Sequence, residues 1–348
     1  MKNTKERNIR LDFARVIMMI FVIGIHTPME ALDAIPTFRT YYYDILFTCD
    51  AGFFIISGYF LLQKKFSSKE DYKSYYFSRF VSIFIPVFLF HFILDILFHR
   101  FVFQIGIGNY LESYWLNLIS NDYNSYLWFL YVYIPLVIFA PFFSKMLNHM
   151  SKGELFFLVL LATAWELFEW YCSANGIAFY FGSHLIASWT IYFLLGHYLK
   201  RFADELKKFR FIFYVIGFFA LRSVVKHSTG DVVPGALIGR PYYMIFIFCL
   251  FVLMLYGIPT ERIKHSGKVL GFVAKHSFTV YLTHFEMIEH VKNYLNRFYD
   301  LIHFTPAIGV HNVINLICNI LCSILFAFLL DELVFFRLQG LLRKLKRA

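Results

Sequence analysis

Charge is scarce in this chain. Only 16% of its 348 residues are Asp, Glu, Lys or Arg, while 59% are hydrophobic. A soluble body of that length could not cover so much apolar surface with so few charges, which excludes a water-soluble globular chain. Cysteine is sparse as well. Cys49, Cys172, Cys249, Cys318 and Cys322 are scattered, mostly inside apolar runs, and no spacing resembles a zinc site or a disulfide framework. They read as small buried hydrophobes. No H-E-x-x-H pattern occurs, and no metal is expected. The chain also lacks internal repeats, low-complexity linkers and any polar stretch long enough for a separate folded body. A single integral-membrane domain over residues 1–348, with no appended soluble domain, is the expected organisation.

What is present is a series of apolar runs. Stretches long enough to span, at about 17–25 residues each, begin near 11, 44, 80, 126, 154, 183, 209, 241, 274 and 311. The first is no cleaved signal peptide, because it lacks a small-residue cleavage site and further spans follow it. The expected fold is all-α and polytopic, with about ten transmembrane helices. Lys and Arg set its orientation. Of the 33, 25 fall in the amino terminus, the even-numbered connections and the carboxyl tail, and seven in the odd-numbered connections. That asymmetry places both termini in the cytoplasm, in a multi-pass protein of the inner (cytoplasmic) membrane. The net charge of +10 is then explained by topology and by contact with membrane lipids, without nucleic acid.

Ionisable groups inside spans mark pathways, partners or reaction centres. The first span, IRLDFARVIMMIFVIGIHT, carries Arg15 and His26. Eleven helical residues amount to roughly 20° of net rotation and about 16 Å of rise. The two side chains therefore share a face at different depths, Arg15 toward the cytoplasm and His26 toward the outer side. Snorkelling of Arg15 to the headgroups and a structural hydrogen bond at His26 are the plainer readings. Pro28 ends or kinks the helix just beyond His26.

Other runs carry further signatures. The second span contains FFIISGYF, with Ser57 and Gly58 small enough for a close approach by a helix or an acyl chain. Arg79 stands at the start of the third, and the fourth opens with Trp128, Phe129 and Leu130. Phe193 and Gly196 lie in the sixth, and the ninth carries Tyr281, Leu282 and His284. In order and spacing these elements resemble the integral-membrane acyltransferase 3 family, which includes bacterial O-acetyltransferases of surface polysaccharides. Leu11, Asp12, Arg15 and His26 match the layout of its first helix. The resemblance covers positions 11 to 284. One departure is clear: many members have R-x-x-R at the third helix, whereas Arg79 here is followed three residues later by Ser82, with Lys73 or Arg10 as substitutes for the missing cation.

The resemblance implies transfer of an acyl group, most often acetyl, from cytoplasmic acetyl-CoA to a hydroxyl of a glycan, lipid-linked sugar or similar acceptor on the outer side. Arg15, Arg79 and Arg10 are then the candidates for the donor's phosphates, and His26 is suited to take the acceptor's proton or to carry the acyl group. Arg15 and His284 are the further catalytic candidates; His284 either partners His26, positions the acceptor or makes a structural hydrogen bond. Asp12 orients an arginine or serves as an ordinary helix-start carboxylate. Ser57 reads as helix packing rather than as a nucleophile. Glu30, Trp128, Glu166 and Tyr281 are the candidates for the acceptor cleft, with Asp33, Asp50 and Glu169 nearby in sequence, although an interfacial aromatic belt with solvated carboxylates is the plainer reading of Glu166, Glu169, Trp165 and Trp170. Glu286, Glu289 and His290 follow His284 as a mixed acid–imidazole group. A membrane transporter or exporter of a polysaccharide or small molecule is the alternative function, and a sensor that keeps the fold without the chemistry is a third. Oligomeric state is not legible in the sequence.

Overall fold

The computed structural model describes residues 7–94, 106–120, 127–177, 188–228 and 238–346. Among these residues every regular element is helical and no strand occurs. In chain order the helices are α1 (Ile9–His26), α2 (Pro36–Leu46), α3 (Thr48–Leu61), α4 (Lys69–Arg79), α5 (Ile85–Leu94), α6 (Ile107–Ser120), α7 (Trp128–His149) and α8 (Lys152–Ala174). They continue as α9 (Ser188–Arg201), α10 (Ala203–Lys208), α11 (Arg210–His227), α12 (Pro241–Val252), α13 (Thr260–Lys264), α14 (Gly267–Leu301), α15 (Ile308–Leu330) and α16 (Phe336–Leu345). A short 3₁₀ turn covers Glu30–Ala34, and π-helical turns cover Phe80–Phe84, Leu253–Gly257 and Asp331–Phe335.

Among the described residues four helical stretches are long and apolar enough to cross a membrane: Pro36–Leu61, Trp128–His149, Lys152–Ala174 and Ile308–Leu345. Helix also covers the described parts of the other expected spans, while parts of the third and sixth spans and of the connections 100–125 and 223–240 lie outside the described residues. The ninth runs on far past its apolar part: α14 has 35 residues, about 52 Å, so Glu286, Glu289 and His290 lie on helix rather than in a connection.

The solvent this fold is built for shows on α15. Val310, Val313, Ile317, Leu321, Leu325 and Leu329 are exposed, whereas Asn312, Asn315, Asn319 and Ser323 on the opposite face are buried. Polar groups inside and aliphatic groups outside is the arrangement that a lipid surround favours. The buried amides join helices: Asn319 Nδ2 donates to Thr27 Oγ1 at 3.1 Å, and Asn312 Nδ2 donates to Glu30 Oε2 at 2.6 Å.

Close crossings rest on glycine. A Cβ on Gly58 would lie 1.8 Å from the Phe193 carbonyl oxygen, and one on Gly196 would lie 2.1 Å from the Ile55 carbonyl oxygen. Helices α3 and α9 therefore touch backbone to backbone, which is the use the sequence reading assigns to the small pair in FFIISGY. Proline shapes another crossing. Pro141 inside α7 has no N–H to offer the carbonyl four residues earlier, and the Tyr75 hydroxyl takes that Val137 carbonyl at 2.7 Å. Tyr76 likewise donates to Ile138 at 3.0 Å. These bonds fasten α4, and with it Arg79, to α7.

Candidate functional site

Helix α1 begins at Asn8, whose side chain caps the first turn by accepting from the Arg10 and Leu11 amides. It runs unbroken to His26, so Arg15 and His26 keep their separation of about 16 Å along one helix. Asp12 is buried in the first turn and binds Arg7, whose other nitrogen donates to the Gly271 carbonyl at 2.6 Å. The carboxylate thus holds the arginine that ties the start of α1 to α14.

Helix α14 lies alongside α1 and carries a matching pair. His284 is fully buried, and its ring centroid is 5.2 Å from that of His26, with the planes tilted by 41°. Phe285 closes the edge of His26 at 5.8 Å. The Nδ1–H of His284 donates to the Tyr281 carbonyl at 2.6 Å, which leaves Nε2 as the nitrogen with the lone pair. The Tyr281 ring is 5.9 Å from His284 and 5.3 Å from Phe129. His284 thus makes a hydrogen bond within its own helix and lies against His26 as well.

Tyr281 also lines a polar cavity of about 220 Å³. Arg15, Arg79 and Lys275 reach it from three different elements, with hydroxyls from Ser57, Ser82, Ser277 and Tyr133 around them. The Ser57 hydroxyl donates to Tyr133 at 3.4 Å. Arg15 lies over the Phe60 ring at 5.3 Å. Arg79 Nε and Ser82 Oγ are buried without a hydrogen-bond partner among the described residues. Basic residues and unsatisfied donors lining one space have the chemistry to hold an anion. A larger apolar groove of about 400 Å³ lies beyond the π-turn, lined by Phe80, Phe84, Val87, Phe88 and Leu130 among others. Among the described residues its lining carries no charged side chain.

Helices α1 and α14 therefore run in the same direction past one another. Each contributes a basic residue to the cavity lining, Arg15 or Lys275, and an imidazole further along, His26 or His284. The nine residues from Lys275 to His284 rise about 13.5 Å.

Several sequence expectations take a different form. Arg10 does not line the cavity: its guanidinium donates to the Leu255 carbonyl at 3.0 Å, on the π-turn after α12. Lys73 is exposed on α4 and does not line it either. The cation that joins Arg15 and Arg79 is Lys275, which the sequence reading missed; its one local signal is a spacing to His284 close to that of Arg15 and His26. Glu30 is clasped to Asn312, and that hydrogen bond holds its carboxyl below the ordinary glutamate range. Trp128 packs on Trp189 at 4.9 Å, beside Phe54. Glu166 is buried on α8 near Tyr192, away from the polar cavity. Among the described residues no three His, Cys, Asp or Glu side chains come close enough to hold a metal ion.

A family model described as an acyltransferase domain matches residues 8–332. No curated protein and no solved structure matches the chain.

Proposed function

The chain belongs to the acyltransferase 3 family and is a membrane acyltransferase; from that premise we propose that it is an O-acetyltransferase, moving an acetyl group from cytoplasmic acetyl-CoA to a hydroxyl of a cell-surface glycan, lipid-linked sugar or similar acceptor. The reading includes ten spans with both termini in the cytoplasm and residence in the inner membrane, for which the distribution of Lys and Arg is the support. The observation that carries it is the paired layout of α1 and α14, with cations around a polar cavity and two imidazoles in contact beyond it.

Coenzyme A is polyanionic, and the cavity's unsatisfied donors suit its phosphates. Among the described residues Arg79 Nε and Ser82 Oγ have no hydrogen-bond partner, and Arg15 lines the same cavity. With the phosphates at that end, an extended pantetheine arm is suited to the gap between cavity and imidazoles. His26 accepts the proton of the acceptor hydroxyl as its oxygen attacks the thioester carbonyl. The C–S bond breaks, and the thiolate takes the proton from the imidazolium, so the step balances without another reactant. His284, held by the Tyr281 carbonyl, fixes the position of His26.

The test uses purified protein with labelled acetyl-CoA and candidate glycans. Transfer of label should depend on the acceptor. His26→Ala should lower the rate about 10²–10⁴-fold, the usual contribution of a positioned base, in protein that remains folded. Unchanged activity in that variant would refute the assignment of His26. Vectorial movement of a glycan without label transfer would favour transport instead.

A further inference from the structure

Lys275 has two surroundings in this structure. One side lines the polar cavity with Arg15 and Arg79. Its ammonium also donates to Glu332 Oε1 at 2.7 Å and lies 4.3 Å from the centre of the Phe336 ring. The π-turn Asp331–Phe335 brings two consecutive acids against two consecutive bases of α14. Asp331 takes the buried one: His276 Nδ1 is 2.6 Å from Asp331 Oδ2, and the Thr279 hydroxyl donates to Asp331 Oδ1 at 2.6 Å. Glu332 takes Lys275.

The two pairs differ in what they can do. His276 and Asp331 are shielded and packed among Phe272, Phe328 and Phe336. They fasten α14 to the end of α15 whether or not Lys275 is engaged. Lys275 and Glu332 are 47% and 42% exposed. An exposed pair of that kind holds within roughly fivefold in equilibrium constant, whereas a charge-assisted bond to phosphate holds roughly tenfold or more. A phosphate entering the cavity therefore outcompetes the carboxylate. The third helix supplies Arg79 and Ser82 to the cavity, and α14 adds Lys275 to the same lining.

We propose that Lys275 is the third cation of the donor cavity and that a phosphate of the donor displaces Glu332 from it. The inference rests on the acetyl-CoA reading above. Glu332 thereby screens the site against weaker anions and sets how tightly the donor is held.

The experiment measures coenzyme A binding and the acetyl-CoA dependence of transfer, with the full chain in nanodiscs of zwitterionic lipid. Lys275→Gln should raise Kd and KM roughly tenfold or more, with kcat unchanged. Lys275→Arg should recover most of that loss. Glu332→Gln should act in the opposite sense, lowering both constants by roughly two- to fivefold. An unchanged KM in Lys275→Gln would overturn the proposal. So would a Glu332→Gln variant impaired as much as Lys275→Gln, because the pair would then serve only to fasten α14. A Lys275 effect seen only with anionic lipid present would assign the lysine to headgroups and refute the donor contact. If the unaltered protein binds no coenzyme A, the donor reading itself fails; binding without a Lys275 effect sinks this inference alone.

Discussion

Replacing Tyr75 by Phe removes the hydroxyl that bonds the Val137 carbonyl at 2.7 Å. Tyr75 is 4% exposed and Val137 1%, so no water reaches the carbonyl once the hydroxyl is gone. A buried group left unsatisfied costs about 1–3 kcal/mol, although hydrogen bonds between membrane helices average nearer 0.6 and reach about 1.7 kcal/mol. A loss of about 1–2 kcal/mol is expected. The reason for the vacancy at Val137 is Pro141, which has no N–H for it. In a Pro141→Ala background the new amide satisfies the carbonyl from within α7, and Tyr75→Phe should then cost about 0.5 kcal/mol or less. The coupling in the double-mutant cycle is therefore about 1 kcal/mol. Reversible unfolding by SDS in mixed micelles measures it across the four proteins. Arg79 lies one turn beyond Tyr75, with its guanidinium 5.8 Å from the ring, so Tyr75→Phe should also raise KM for the donor. An equal cost of Tyr75→Phe in both backgrounds would refute the claim that proline creates the need this tyrosine fills.

Two further outcomes follow from packing and protonation. Gly196→Ala places a methyl 2.1 Å from the Ile55 carbonyl oxygen and 2.4 Å from the Tyr59 amide nitrogen; overpacking of this kind costs about 1–3 kcal/mol or more, read as lost folded protein, while Gly153→Ala, with nothing nearer than 3.9 Å, should be neutral or mildly stabilising. Glu30 has its carboxyl lowered mainly by the Asn312 hydrogen bond. Its contribution to stability is thus present above the ordinary glutamate pKa of about 4.3 and is lost as pH falls through the lower folded value. Melting followed from neutral to strongly acid pH should show a step in that acid window which Asn312→Ala removes; an identical pH dependence in the variant would count against the clasp.

How much of the site was legible depends on how local each residue's signal is. Arg15 and His26 sit eleven positions apart on one helix, so helical geometry alone gives their common face and their separation. Gly58 and Gly196 could be read as places of close approach, yet not as partners of each other, because 138 positions separate them and no local pattern links them. Arg10 shows the reverse limit. By sequence it is one more cation at the start of α1, and its diversion to the Leu255 carbonyl depends on how the π-turn after α12 exposes that oxygen. Lys275 has only its spacing to His284 as a local signal, and its place beside Arg15 at the cavity depends on how α14 packs on α1. The Glu30 partner, Asn312, lies 282 positions away, so no local pattern signals it.

The sequence by itself determined the class of solvent, the all-helical fold and the family, because hydropathy, helical periodicity and motif order are properties of the chain read in one dimension. Only the tertiary structure decided that His284 meets His26, that Lys275 joins Arg15 and Arg79, and that Asp331 and Glu332 divide His276 and Lys275 between them. Those pairings depend on which faces of distant helices are pressed together. That choice is made by glycine-mediated crossings, by a carbonyl freed by proline and by buried amides, acting between segments up to hundreds of residues apart.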